Sequence, residues 1–227
     1  MVAIFVVLTI IVFLTIDAIL QKREAKRLAL AGVPQGAAPR LPKVRVVKGL
    51  FYAPNHLWMK VLANGQAKLG VDDFAVKLLG RIDAIETVEP GTYVKKGQPI
   101  AWLKQGKRRL ALRAPVSGRV TQVNLSLLEH PEQIKENPYT RGWLVSIEPE
   151  DLGETAPKLL IAERAVRWLR REGQRLREFL GETLAARPDV GLTMADGGVP
   201  AEGVLSYLDD QAWRECEARF FSMYETE

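Results

Sequence analysis

Hydrophobic and polar positions follow two different rhythms along the chain. From Val44 to about Glu150 they form short alternating runs: "HLWMKVL", "QAKLGV", "GRIDAIET", "QPIAWLK", "RLALRA", "GRVTQVN" and "GWLVSIE", separated by Gly, Pro and Asn. A period of two sends successive side chains to opposite faces of a sheet. Seven or so such strands at this spacing predict an all-β sandwich or small barrel. Asn64-Gly65 in "ANGQ" carries the two-residue hairpin signal. "DDFAVKLLG" breaks the pattern, because Phe74, Leu78 and Leu79 recur at helical spacing behind Asp72 and Asp73. Those two carboxylates read as caps of one short helix.

After "EDLGETAP" the rhythm becomes helical. In "KLLIAERAVRWLRREGQRLREFLGETLAA", Ala162, Val166, Leu169, Leu176 and Phe179/Leu180 fall on one face, and Arg164, Arg167, Arg170, Arg171 and Arg175 crowd the rest. This helix either packs on the β domain with its basic face in water, or lies on a membrane or a partner. "RPDVGLTMADGGVPAEGV" is a turn-rich break, in which Asp196-Gly197-Gly198 forms a tight turn. "LDDQAWRECEARFFSMYE" predicts a last helix capped by Asp209, with Trp213, Phe220 and Phe221 available for packing.

The N-terminal stretch belongs to neither rhythm. "VAIFVVLTIIVFLTIDAIL", Val2 to Leu20, has no charge before Asp17. About 20 apolar residues suffice to cross a bilayer as a helix. No positive region precedes the run and no small-x-small cleavage site follows it, which favours an uncleaved single-pass anchor over a signal peptide. "QKREAKR" comes next. Basic flanks stay on the cytoplasmic side, so the N-terminus is expected outside and the main domain in the cytoplasm. "LALAGVPQGAAPRLPK" then reads as a tether. The expected organisation is an anchor at 1–20, a basic, Pro-rich linker at 21–43, a β domain at 44–152 and a helical extension at 153–227.

Composition narrows the chemistry. A net charge of +5 suits anionic lipid or an acidic protein surface. With one cysteine, Cys216, and two histidines, His56 and His130, a Cys-rich metal site and a histidine triad are both poorly supported. Gly70, Gly80, Gly91, Gly97 and Gly118 punctuate turns and form no phosphate loop.

"HLWMKVLANGQAKLGVDDFAVKLLGRIDAIETVEPGTYVKKGQPI", continued by "APVSGRVTQVN" and "LEHPEQIKENPYTRGWLVSIEP", resembles the glycine-cleavage H-protein family in order and nearly without gaps. The resemblance implies a mainly β, barrel-sandwich hybrid of the lipoyl-domain type, to which the hydrophobic pattern adds an N-terminal transmembrane helix and C-terminal helices. It also implies structural positions for His56 and Trp58, packed between sheet and loop. The family's working group is a hairpin-tip lysine in Glu-Ser-Val-Lys-Ala, amidated with lipoic acid, whose dithiolane carries an aminomethyl group between enzymes.

Counting back from "APVSG" places Lys107 at that lysine. Around it the chain reads Lys104-Gln105-Gly106-Lys107-Arg108. The glutamate has become Lys104, the apolar residue Gly106 and the small residue Arg108. Gly106 removes a side chain that would stiffen the tip.

The expectation is therefore a non-enzymatic, membrane-anchored accessory, scaffold or docking subunit that has lost the arm and needs no cofactor. Its partners would be the membrane and a protein in a membrane-associated complex; nucleic acid ranks last. One alternative is a lipoylated carrier, an aminomethyl or redox shuttle with lipoate on Lys107. The other is a basic module in which Lys104, Lys107, Arg108, Arg109 and Arg113 bind anionic lipid or an acidic partner.

Overall fold

A computed structural model describes residues 44–185 and 202–223. The expected anchor, the linker and most of the turn-rich break lie outside the described residues. Among the described residues no helix is long and apolar enough to cross a membrane. Residues 44–179 and 202–223 belong to one compact unit, and every contact below lies within it.

The described residues form two antiparallel sheets. The larger has the order β1 (Phe51–Tyr52), β2 (Leu57–Val61), β3 (Ala67–Val71), β9 (Trp143–Pro149), β8 (Gly118–Val123), β5 (Tyr93–Val94). The smaller has the order β4 (Ala84–Thr87), β6 (Pro99–Gln105), β7 (Arg108–Arg113). Leu57, Met59, Leu69, Val120 and Ile147 of the first and Ile100, Leu103, Leu110 and Leu112 of the second are buried. All seven alternating runs became strands. The two others, β1 and β5, are two residues each, too short for alternation to reveal.

The first hairpin differs from its predicted two-residue form. The Leu62 amide donates to the Gln66 carbonyl, 2.8 Å, and the Gly65 amide to the Leu62 carbonyl, 3.0 Å. The loop is therefore three residues, a turn followed by Gly65 at φ +82°. That left-handed residue matches the strand twist as a primed two-residue turn would.

Helix α1 (Asp73–Leu79) starts where the sequence put it, with Asp72 Oδ1 accepting from the Ala75 amide at 2.9 Å. Short helices α2 (Leu125–Glu129), α3 (Gln133–Glu136) and α4 (Leu152–Thr155) fill connections. Trp58 is buried and its Nε1 is shared between the Val71 carbonyl (3.0 Å) and the Pro138 carbonyl (3.1 Å), tying sheet to loop.

The C-terminal helices are α5 (Ala162–Ala185) and α6 (Asp210–Phe220). Reciprocal backbone bonds between Tyr52 and Leu160 fix the entry to α5 against β1. Its buried stripe runs through Ala165, Trp168, Leu169, Glu172, Leu176 and Phe179. The predicted face is corrected at two positions: Ala162 is exposed, and Val166 is 41% exposed. The stripe is rotated because Glu172, which charge assigns to the polar face, is buried beside His56. Helix α6 begins with Asp209 Oδ1 accepting from the Ala212 amide at 2.8 Å, as expected of a cap, and buries Trp213, Cys216 and Phe220.

Candidate functional site

Strands β6 and β7 pair from Pro99↔Arg113 to Gln105↔Arg108, leaving Gly106 and Lys107 as a two-residue turn. Gly106 has φ +57°, while Lys107 does not enter the left-handed region. A glycine at the first central position is what a type II′ hairpin requires. Conformation alone demands it, since a Cβ there would meet nothing within 4 Å.

The tip is held firmly, contrary to the expectation that Gly106 loosens it. The Gly106 amide donates to Asp83 Oδ2 at 2.7 Å, and Gln105 Nε2 donates to the carbonyls of Leu79 and Arg81. The Gly106 amide, with Arg81, holds the Asp83 carboxyl below the usual range.

The five basic residues meet different fates. Lys104 pairs with Glu86 across the β4–β6 ladder, and Arg109 Nη2 reaches the other oxygen of Glu86 at 2.9 Å. Lys104 first, then Arg109, lowers the Glu86 pKa. Arg109 also lies over the Trp102 ring, 4.3 Å from its centroid. Arg108 donates to the Leu205 carbonyl (3.0 Å), the Leu208 carbonyl and Asp210 Oδ1 (3.2 Å), and lies 5.1 Å from the Trp213 ring. Arg113 Nη1 donates to the Gly97 carbonyl at 3.2 Å. Lys107 alone of the five is without a hydrogen bond or ion pair among the described residues, and it is exposed. The sequence cluster is thus a set of internal contacts around one displayed amine.

A second polar site lies inside. His56 is fully buried at φ +63°, with Nδ1 2.9 Å from Asp72 Oδ2. Its Nε2 lies 3.8 Å from Glu172 Oε2, an ion-pair distance too long for a hydrogen bond. Glu172 Oε1 accepts from Arg175 Nη1 at 2.7 Å, and Arg175 Nη2 donates to the Arg219 carbonyl at 3.0 Å. The imidazole stacks on Phe74, with centroids 4.4 Å apart, and meets Trp168 and Phe221 at 4.8 and 5.6 Å. Burial lowers the His56 pKa, but Asp72 and Glu172 together overcome it and push it up to about 9. His56 is therefore a cation between two carboxylates, a structural clasp from the β1–β2 turn through α1 to α5. Sequence reasoning assigned His56 to packing and Asp72 to a cap, and missed Glu172. No local pattern links residues 56, 72 and 172; the lone signal was an acid inside an arginine-rich stretch.

The remaining candidates are inert. His130 is exposed, 3.5 Å from Glu132. Cys216 is a buried free thiol whose pKa burial pushes up to about 12. Among the described residues no cluster of His, Cys, Asp and Glu could hold a metal ion.

A sequence model of the family described as "Glycine cleavage H-protein" matches residues 50–172, more than half of the chain. The chain belongs to the glycine cleavage H-protein family. A probable glycine cleavage system H protein of Pyrococcus abyssi is 38% identical over 126 residues, 56% of this chain and 93% of that protein. The H protein of Geobacillus thermodenitrificans is 38% identical over 117 residues, 52% of this chain and 91% of that one. The crystal structure of the Mycobacterium marinum H protein superposes with a TM-score of 0.50 at 26% identity, covering 56% of this chain and 99% of that chain.

H-protein family members are lipoyl carriers rather than catalysts, with lipoate held on a lysine. The Lys107 amine fits that group, being exposed and unpaired at a fixed tip. Its flanks fit less well. The acid beside the hairpin, Glu86, is already paired with Lys104 and Arg109, and Arg108 is turned into the C-terminal segment.

Proposed function

We propose that this H-protein-family chain is a membrane-held, non-catalytic accessory subunit whose arm hairpin has become the seat of its own C-terminal extension. The observation that carries the reading is Arg108. In place of the small residue after the arm lysine stands a guanidinium committed to the carbonyls of Leu205 and Leu208, to Asp210 and to the Trp213 ring. The amide of Ala111 on β7 reaches Glu217 of α6 as well, at 3.4 Å. A hairpin built to be grasped by an attaching enzyme gains nothing from these contacts; one built to dock a helix does. The apolar run Val2–Leu20 and the basic residues behind it supply the membrane attachment in this reading, with the main domain in the cytoplasm.

A second reading keeps the arm, and the free, exposed Lys107 amine favours it. Intact mass separates the two. The full chain is co-expressed with lipoate-attaching enzymes, beside an ordinary H protein as positive control. The accessory reading expects an unmodified chain. Added lipoyl mass that disappears in Lys107→Arg would overturn it, and a bare chain beside a loaded control would overturn the carrier.

A further inference from the structure

The first residues described lie against α1 and α5. Tyr139 Oη donates to the Arg45 carbonyl at 2.7 Å and accepts from the Asp73 amide at 3.0 Å, and the Val47 amide donates to Tyr52 Oη at 2.8 Å. These bonds hold Val44 and Val46 beside Phe74 of α1 and beside Val166, Leu169, Arg170 and Gly173 of α5. Together they line an open cleft of about 300 Å³ that is apolar except for Arg170. Val47 and Val166 are among the exposed large apolar side chains.

The rim of this cleft is cationic. Arg170 follows Val166 by one helical turn, and Arg167 adjoins it on the outward side of α5. Arg45, between the two lining valines, has a side chain 68% exposed and only a distant contact, 3.9 Å, with Asp73. Lys48 is exposed as well. Two acids meet this rim, Asp73 beside Arg45 and Glu163, 3.6 Å from Arg167. Exposed valines ringed by long cationic side chains are what an anionic bilayer surface accepts: apolar groups enter the headgroup boundary and arginines reach the phosphates. The exit of the chain points the same way. Val44, where the segment leading back to the basic stretch joins the domain, itself lines the cleft.

We infer that the face formed by Val44–Lys48 and the Val166–Arg170 turn of α5 docks on the surface of an anionic phospholipid bilayer. The inference rests on the membrane-held reading above and adds which face turns to the lipid. Docking here leaves Lys107 to be presented or covered by other parts of the chain.

The test uses the full chain in vesicles of phosphatidylcholine, with and without phosphatidylglycerol. Val166→Cys carries an environment-sensitive fluorophore; Cys216 is buried and does not compete for it. The expected result is a blue-shifted emission, quenched by lipid-borne quenchers, only in the phosphatidylglycerol vesicles. Arg167→Gln with Arg170→Gln should restore the aqueous spectrum, since each arginine changes the docked population roughly fivefold. A chain that resists alkaline extraction but shows an aqueous spectrum in both vesicle types keeps the anchor and overturns the docking face. A chain that is not integral overturns the anchor; the face is then upheld if the chain floats with phosphatidylglycerol vesicles and loses this with the double substitution, and overturned if it does not float.

Discussion

Replacing Glu172 by Gln removes one charge of the buried clasp while keeping its shape. In the folded protein His56 is pushed up to about 9, chiefly by Asp72 and then by Glu172, against the lowering effect of burial. From an ordinary 6.5 the net shift corresponds to about 3 kcal/mol in favour of the charged ring, which is what remains of the two carboxylates' attraction after burial has been overcome. Removing one partner of a buried pair costs up to about 3–5 kcal/mol. Asp72 remains 2.9 Å from the ring, so Glu172→Gln should cost about 2 kcal/mol. For a chain of this size that lowers Tm by about 4–8 °C.

The pH dependence has a defined sign. His56 has a folded pKa above its unfolded one, so its stabilisation is complete below about 6.5 and is lost as pH rises through about 9. Glu172 is shifted the other way, held down by His56 and then Arg175 against desolvation. Its contribution is present above the ordinary glutamate pKa and disappears as pH falls through its lower folded value. The Tm difference between wild type and Glu172→Gln should therefore peak between about pH 5 and 6.5 and narrow toward pH 10 to what the Arg175 pairing contributes. Thermal melts of both full chains across that range measure it. A difference that persists unchanged at pH 10, or none at pH 6, would refute the clasp.

Arg108→Ala should cost about 2 kcal/mol by removing charge-assisted bonds to Leu205, Leu208 and Asp210. Hydrogen exchange should accelerate selectively in Val204–Phe220; unchanged protection there would contradict the seating of the extension on the hairpin. Gly70→Ala should destabilise by about 1–3 kcal/mol, because its Cβ would fall 2.4 Å from Trp58 Cζ2, and denaturant melts would reveal it. Cys216 should resist thiol reagents at pH 8 until the chain unfolds, since burial pushes its pKa up to about 12. Rapid labelling of the native protein would show that α6 opens readily.

Residues near one another in the chain determined most of the elements. Alternation located β2, β3, β4 and β6–β9, and Asp72 and Asp209 announced the starts of α1 and α6. Each of these depends on local periodicity or on a side chain reaching its own backbone, and such physics is written in short windows. The destinations of the charges were not. Whether Lys104, Arg108 and Arg109 formed a free basic patch depended on Glu86 from a neighbouring strand and on Asp210, more than a hundred residues away. The same holds for His56 and Glu172, whose charges survive burial because folding brings them together. A charged side chain has no fixed preference between water and a distant counter-charge. Only the tertiary structure decides which one it meets.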